Sequence, residues 1–276
     1  MQTRMATGGT DAVAPGGLAG FLLLQWDGLR LQWLVGTSRE VHNLGESPAK
    51  DVQELEFVCR ELRGKGLVAD EVLWAQRMPS FSVWPSVLIG DRADAAFRLE
   101  HKGWDQDAVA TFVTQSLSED MVVVEPGFSE VGALMEAVWP QARRVSSVAA
   151  FLESAVRQDG ALGAKSIYLD VGHKRTLTVM TDGKALLQAQ TIPSSDPESI
   201  LYHVANALHR DGREPATCGA VVRWSGEIKR GGTRWTLFSR FFPEMEMHFG
   251  FRSMQWGEHE VRRERWGSVT NLTSCA

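Results

Sequence analysis

Apolar positions along this chain follow two rhythms, short unbroken runs and longer stretches in which they recur every three or four residues. From Phe21 to Val35 the sequence FLLLQWDGLRLQWLV sets Asp27-Gly28 between two apolar runs, which predicts a tight hairpin. Ser47-Pro48 offers a helix N-cap and a first-turn proline, and Val52, Leu55, Cys59 and Leu62 recur at helical spacing as far as Gly64. Glu71–Gln76 and Phe81–Trp84 read as short extended pieces punctuated by Pro79 and Pro85. Asp105–Leu117 predicts a helix, and Met121–Val124 a buried strand that leads to Glu125-Pro126-Gly127. Helices over Ser129–Val138 and Val145–Arg157 follow, with Gln158-Asp159-Gly160 and Gly163 as a hinge.

Ser166–Ile192 reads as three consecutive antiparallel strands, with Asp170-Val171-Gly172 at the first turn and Asp182-Gly183 at the second. Ser195-Asp-Pro-Glu198 fits a capping box, and Ile200, Leu201, Val204, Ala207 and Leu208 share one face, predicting a helix over Asp196–His209. A strand over Gly219–Trp224 runs into Ser225-Gly226-Glu227, followed by a helix around Trp235–Phe241 and a strand around Met245–Phe251. From Gly257 onward the chain is polar and partly basic, with Arg262, Arg263 and Arg265 close together, and it is expected to add little to the fold. The two halves share the order hairpin or meander, helix, strand, helix. The simplest architecture is α/β: two similar lobes, each a mixed sheet flanked by helices, around a cleft. The expected division is a disordered leader over 1–17, a first lobe over 18–160, a second over 161–254 and a polar tail over 255–276.

Composition narrows the function more than the fold. With 276 residues, 43% hydrophobic and 23% charged, the chain is long enough for a large core or two. A net charge of -5 gives no broad attraction for nucleic acid or anionic lipid, so no nucleic-acid partner is expected. No stretch approaches the roughly 20 apolar residues of a membrane span, and MQTRMATGGTDAVAPGG lacks a signal-peptide core, which suggests a cytoplasmic protein. Cys59, Cys218 and Cys275 share no metal-ligand spacing, and the seven histidines include no His-Glu-x-x-His. Most of the ten tryptophans are read as core.

The run LLQAQTIPSSDPESILYHVANALHRDG, followed by CGAVVRWSGEI, and the segment Phe81-Ser-Val-Trp-Pro85 resemble an uncharacterised bacterial family, a domain of unknown function assigned an actin-like ATPase fold. The resemblance spans roughly Gly20 to Phe251. It implies two ribonuclease-H-like lobes facing each other across a cleft, as in a pilus assembly protein related to the cell-division actin homologue. It implies no particular activity.

The residues themselves carry only part of a nucleotide site. Such a site needs backbone N–H groups at two hairpin turns to cradle phosphates, and an aspartate beside each turn to hold a metal's water shell. Asp170, Gly172 and Lys174 are the candidate cofactor-binding residues at the second-lobe turn, and Gly226 is the candidate at the Ser225-Gly226-Glu227 turn. His173-Lys174-Arg175 crowds the second-lobe turn, and the tight Asp27-Gly28 turn leaves no room for a phosphate loop. An ordinary hairpin turn with a strand-end aspartate accounts for the same residues. No Gly-x4-Gly-Lys-Ser/Thr loop is present, and Glu125 at a strand end is a weaker candidate for a base near the cleft. The expectation is a non-catalytic binding or scaffold protein with a degenerate nucleotide site, no catalytic residue, no metal and no resident cofactor, whose partner is a protein. The alternative is an ATPase or phosphotransferase that takes ATP with Mg in the cleft.

Overall fold

The computed structural model describes residues 20–77, 79–89, 97, 111–117, 120–250, 255–256 and 263–275. The leader assigned to 1–17 lies outside them. β1 (Phe21–Trp26) and β2 (Arg30–Gly36) form the predicted hairpin. Asp27 closes its turn, with Oδ1 accepting the backbone N–H groups of Leu29 and Arg30 at 2.9 Å each, while Gly28 takes a φ of +83° that a side chain would strain. β3 (Val41–Pro48) pairs antiparallel with β2. The pattern does not predict this strand, because only Val41 and Gly45 are buried along it. It also absorbs Ser47-Pro48, so α1 (Val52–Gly64) starts later than expected and is capped by Asp51, which accepts from the Glu54 N–H at 2.8 Å.

β4 (Glu71–Gln76) joins β1 in parallel and β8 (Ala142–Arg144) joins β4, giving the order β3-β2-β1-β4-β8. The second sheet contains β9 (Lys165–Val171), β10 (Thr176–Asp182), β11 (Ala185–Ile192), β12 (Val221–Gly226) and β13 (Met245–Met247), in the order β11-β10-β9-β12-β13. Its pairings repeat those of the first sheet, two antiparallel and then two parallel. The predicted three-strand meander and the duplicated α/β unit are thus both present.

A third, smaller sheet stands between β4 and β8 in the chain. It comprises β5 (Ser82–Pro85), β6 (Thr111–Ser116) and β7 (Met121–Gly127), in the order β5-β7-β6, with α2 (Ser86–Ile89) after its first strand. β6 corrects the helix expected over Asp105–Leu117. Thr111, Phe112, Val113 and Thr114 are β-branched or aromatic and pair with β7 instead; residues 105–110 lie outside the described set.

α1 and α3 (Ser129–Val138) cover one face of the first sheet, packing Leu55, Leu62, Val131 and Met135 on Leu22 and Leu24. On the other face Phe21, Leu23 and Leu73 meet Ala150 of α4 (Ser147–Leu162) together with Trp266, Val269 and Leu272. Burial on both faces is why β1 reads as an unbroken apolar run. α4 also packs Val148, Phe151 and Leu152 on Leu177 and Val179 of the second sheet, so it lies between the two lobes. The opposite face of that sheet is covered by α5 (Pro197–Arg210), capped as predicted by Asp196, and by α6 (Thr233–Phe238).

Two further expectations change. The segment proposed as a hinge is the last turn of α4, which stops at Gly163 in the left-handed conformation. Asp159 pins that turn to the sheet, accepting from Ser166 Oγ and Tyr168 Oη at 2.9 Å each and from Thr181 Oγ1. The polar tail is also more than a tail. Arg263–Cys275 forms 3-10 turns around α7 (Gly267–Asn271), and Trp266, Val269 and Leu272 are buried in the first lobe. Their spacing of three places them on one helical face, which the surrounding polar residues mask in the sequence.

Candidate functional site

A cavity of about 300 Å³ lies where the β1–β2 turn, the end of β4, the first turn of α4 and the β9–β10 turn converge. Ligand sites of α/β folds form at the carboxyl ends of parallel strands, and all four segments lie at such ends, those of β1, β4, β8 and β9. Asp170, Gly172 and Lys174 line the cavity, as do Asp27 and Gly28 from the first lobe. Gly226 is not among the lining residues. Its role is a close approach of strands: φ is +85°, and a Cβ there would stand 2.1 Å from the Val171 carbonyl oxygen.

The dominant contact across the cavity is made by Arg77, the residue immediately after β4. Its Nη2 donates to the Asp170 backbone oxygen at 2.8 Å and also pairs with the Asp170 carboxylate. Asp170 is 1% exposed, and its other carboxylate oxygen accepts from Ser225 Oγ at 3.0 Å. The guanidinium lies over Gly172, where an added Cβ would come within 3.1 Å of Arg77 Cζ. The tighter constraint on Gly172 is its own turn, because the same Cβ would stand 2.9 Å from the Arg175 backbone oxygen. The turn itself is closed by the Gly172 N–H donating to the Arg175 oxygen at 2.7 Å.

A second set of charges lies beside it. Arg30 Nη1 reaches Glu46 Oε2 at 3.1 Å and Glu227 Oε1 at 3.3 Å, while Arg265 reaches the same two carboxylates at 2.7 and 3.0 Å. His173 Nε2 approaches Glu227 at 3.4 Å. Burial, reinforced by Arg30, holds the His173 pKa below its ordinary value, against the opposing pull of Glu227. Glu227 follows β12 of the second sheet, so this network ties the first lobe and the C-terminal segment to the second. Arg265 belongs to the cluster that reads in the sequence as a solvated basic tail; it is instead engaged inside the molecule.

Glu125, considered as a base, does not line the cavity. It is fully buried on β7, accepts from Ser146 Oγ at 2.9 Å and has Arg144 at 3.8 Å. Burial pushes its carboxyl up to about 7, against the pull of Arg144 and Ser146. Trp224, at the end of the predicted Gly219–Trp224 strand, is a core residue edge-on to Phe238. Arg77 is the side chain that crosses the cavity, and its signal in the sequence is a lone cation directly after the strand EVLWAQ. Among the described residues no group of histidine, cysteine or acidic side chains is arranged to hold a metal ion, and no helix is long and apolar enough to cross a membrane.

The fold is similar to that of several solved proteins. A protein of unknown function with an actin-like ATPase fold, from Bacteroides thetaiotaomicron, superposes with a TM-score of 0.76 at 13% identity, covering 94% of this chain and 96% of that one. The PilM–PilN complex of type IV pilus biogenesis gives 0.61 at 14% identity, over 91% of this chain and 96% of that one. The cytoplasmic domain of EpsL, an inner membrane component of the type II secretion system of Vibrio cholerae, gives 0.51 at 10% identity, over 93% and 95%. No protein-family model matches the chain, and no curated protein matches it in sequence. The fold is that of the actin-like ATPases, as the resemblance implies.

Proposed function

We propose that this chain is a non-catalytic binding or scaffold protein of actin-like fold whose ancestral nucleotide site has degenerated, and whose partner is a protein. The observation that supports it is the Arg77–Asp170 pair. In a working site the strand-end carboxylate organises a hydrated metal and the glycine turn approaches phosphates. Here Asp170 is committed to Arg77 and Ser225, and the Arg77 guanidinium covers Gly172. In the first lobe the Asp27 carboxylate is used by its own turn. The residues present do not fit Mg-ATP, and no chemical step is assigned to them. Arg30, Glu46, Glu227 and Arg265 brace the lobes in a fixed relation, which suits a surface presented to a partner. The likeness to one member of a two-protein assembly, PilM with PilN, favours the same reading.

Thermal unfolding with and without millimolar Mg-ATP tests it. A ligand at 100 times its Kd adds about 2.7 kcal/mol of stability. The expected result is an unchanged Tm. A clear rise that Asp170→Ala abolishes would overturn the proposal and restore the ATPase reading.

A further inference from the structure

The cavity retains charge and hydrogen-bonding capacity that the Arg77–Asp170 pair does not use. Lys174 is exposed and Arg175 half-buried on the β9–β10 turn, both line the cavity, and neither forms an ion pair among the described residues. The Asp27 carboxylate acts on Arg175 without pairing with it and is held by the amides of Leu29 and Arg30. Arg77 lies close enough to Arg175 to repel it. Lys174 and Arg175 thus stand at the cavity with no ion-pair partner among the described residues, and the carboxylate that acts on Arg175 is already held by its own turn.

The wall and floor add two further requirements. Trp26, Leu29, Pro79 and Phe128 form an apolar wall. Gln76, which also lines the cavity, is 4% exposed, and its Oε1 has no hydrogen-bond partner among the described residues. A buried acceptor left unpaired is costly, so it marks a place for a donor. A free inorganic anion satisfies the cations alone. An occupant that meets all three features needs a negative charge, an apolar side chain and an N–H group, and a peptide carries all of them.

We propose that this cavity receives a carboxylate-bearing segment of a partner protein. Lys174 and Arg175 hold the carboxylate, the wall of Trp26, Leu29 and Phe128 takes a neighbouring apolar side chain, and Gln76 accepts a backbone N–H. The inference rests on the protein-partner reading above and specifies what the partner presents. No metal takes part.

The test is an array of random short peptides probed in the presence of a chelator with the native protein and with a Lys174→Gln, Arg175→Gln double variant. Both positions lie on a turn with exposed or half-buried side chains, so the variant is expected to keep the native Tm. The native protein is expected to retain peptides that carry an acidic residue beside an aliphatic or aromatic one. Replacing that acid by its amide, or using the double variant, is expected to weaken binding by roughly tenfold or more, equal to about 1.4 kcal/mol per tenfold. Retention without acidic enrichment, enrichment that survives in the double variant, or no retained peptide overturns the inference. Inorganic phosphate that displaces the peptides at equal affinity overturns it too, by making the source a free anion. A Mg-ATP arm separates the two conclusions: stabilisation by Mg-ATP sinks the functional reading, whereas acid-independent peptide binding without it sinks only this one.

Discussion

Arg77 and Asp170 are each other's main reason for being tolerated where they are. With Asp170 1% exposed, Arg77→Ala leaves a buried carboxylate supported by Ser225 and is expected to cost about 3–5 kcal/mol in urea unfolding. Combining Arg77→Met with Asp170→Asn removes both charges and is expected to recover most of that loss, so a double-mutant cycle reads a large coupling. Additive losses would show that the pair contributes little. Two other buried groups set opposing pH slopes. Glu125 has its pKa raised to about 7, so its folded form holds a proton that the unfolded chain releases above 4.5; that stability is full below 4.5 and is lost as pH rises to about 7. His248, 3% exposed and edge-on to Tyr168 and Phe151, is pushed down to about 3 by burial and by Arg223. Its stability is full above 6.5 and is lost as pH falls toward 3. Between 4.5 and 6.5 the two offset, each at about 1.4 kcal/mol per pH unit. Glu125→Gln should therefore expose a stability that climbs across that window, and His248→Phe one that declines. Flat profiles in both variants would refute the assignment.

At the scale of elements, the C-terminal helical segment functions as one wall of the first lobe. Leu272 is fully buried against the first sheet, so Leu272→Ala is expected to destabilise the protein by about 2–5 kcal/mol, measured by chemical denaturation. A loss under about 0.5 kcal/mol, the size of an ordinary surface change, would mean the segment is peripheral. Elements with a local cause were legible in the sequence: the Asp27-Gly28 turn, the Asp196 cap and the Asp170–Gly172 meander each carry their own chemistry within a few residues. β3 was not, because an edge strand with one half-covered face has no apolar alternation to read. β6 departs from the expected helix because its β-branched and aromatic residues pair with β7, a partner that no local pattern names. The candidate site divided the same way. Asp170 and Gly172 announce themselves as a strand-end aspartate and glycine, whereas Arg77 matters only through a contact 93 positions away, which no local pattern encodes.

The whole molecule is two copies of one sheet plan joined by α4, by the Arg77 contact and by four charges that are 23–30% exposed on their side chains. Those four are accessible enough to be screened. Raising salt from about 0.01 M to about 1 M shortens the screening length from about 30 Å to about 3 Å and is expected to lower Tm. The drop should be smaller in Glu227→Gln, and an identical drop would place the bracing elsewhere. The matching sheets conceal an inequality in how the lobes are completed. The second sheet is drawn from one continuous stretch, residues 165–247, while the first needs residues 263–275 to close its inner face. During synthesis the lobe that emerges first is therefore the lobe that finishes last. Until Trp266, Val269 and Leu272 arrive, Phe21, Leu23 and Leu73 present a greasy surface to the cell, and a nascent chain stalled within the second lobe is a natural client for chaperones.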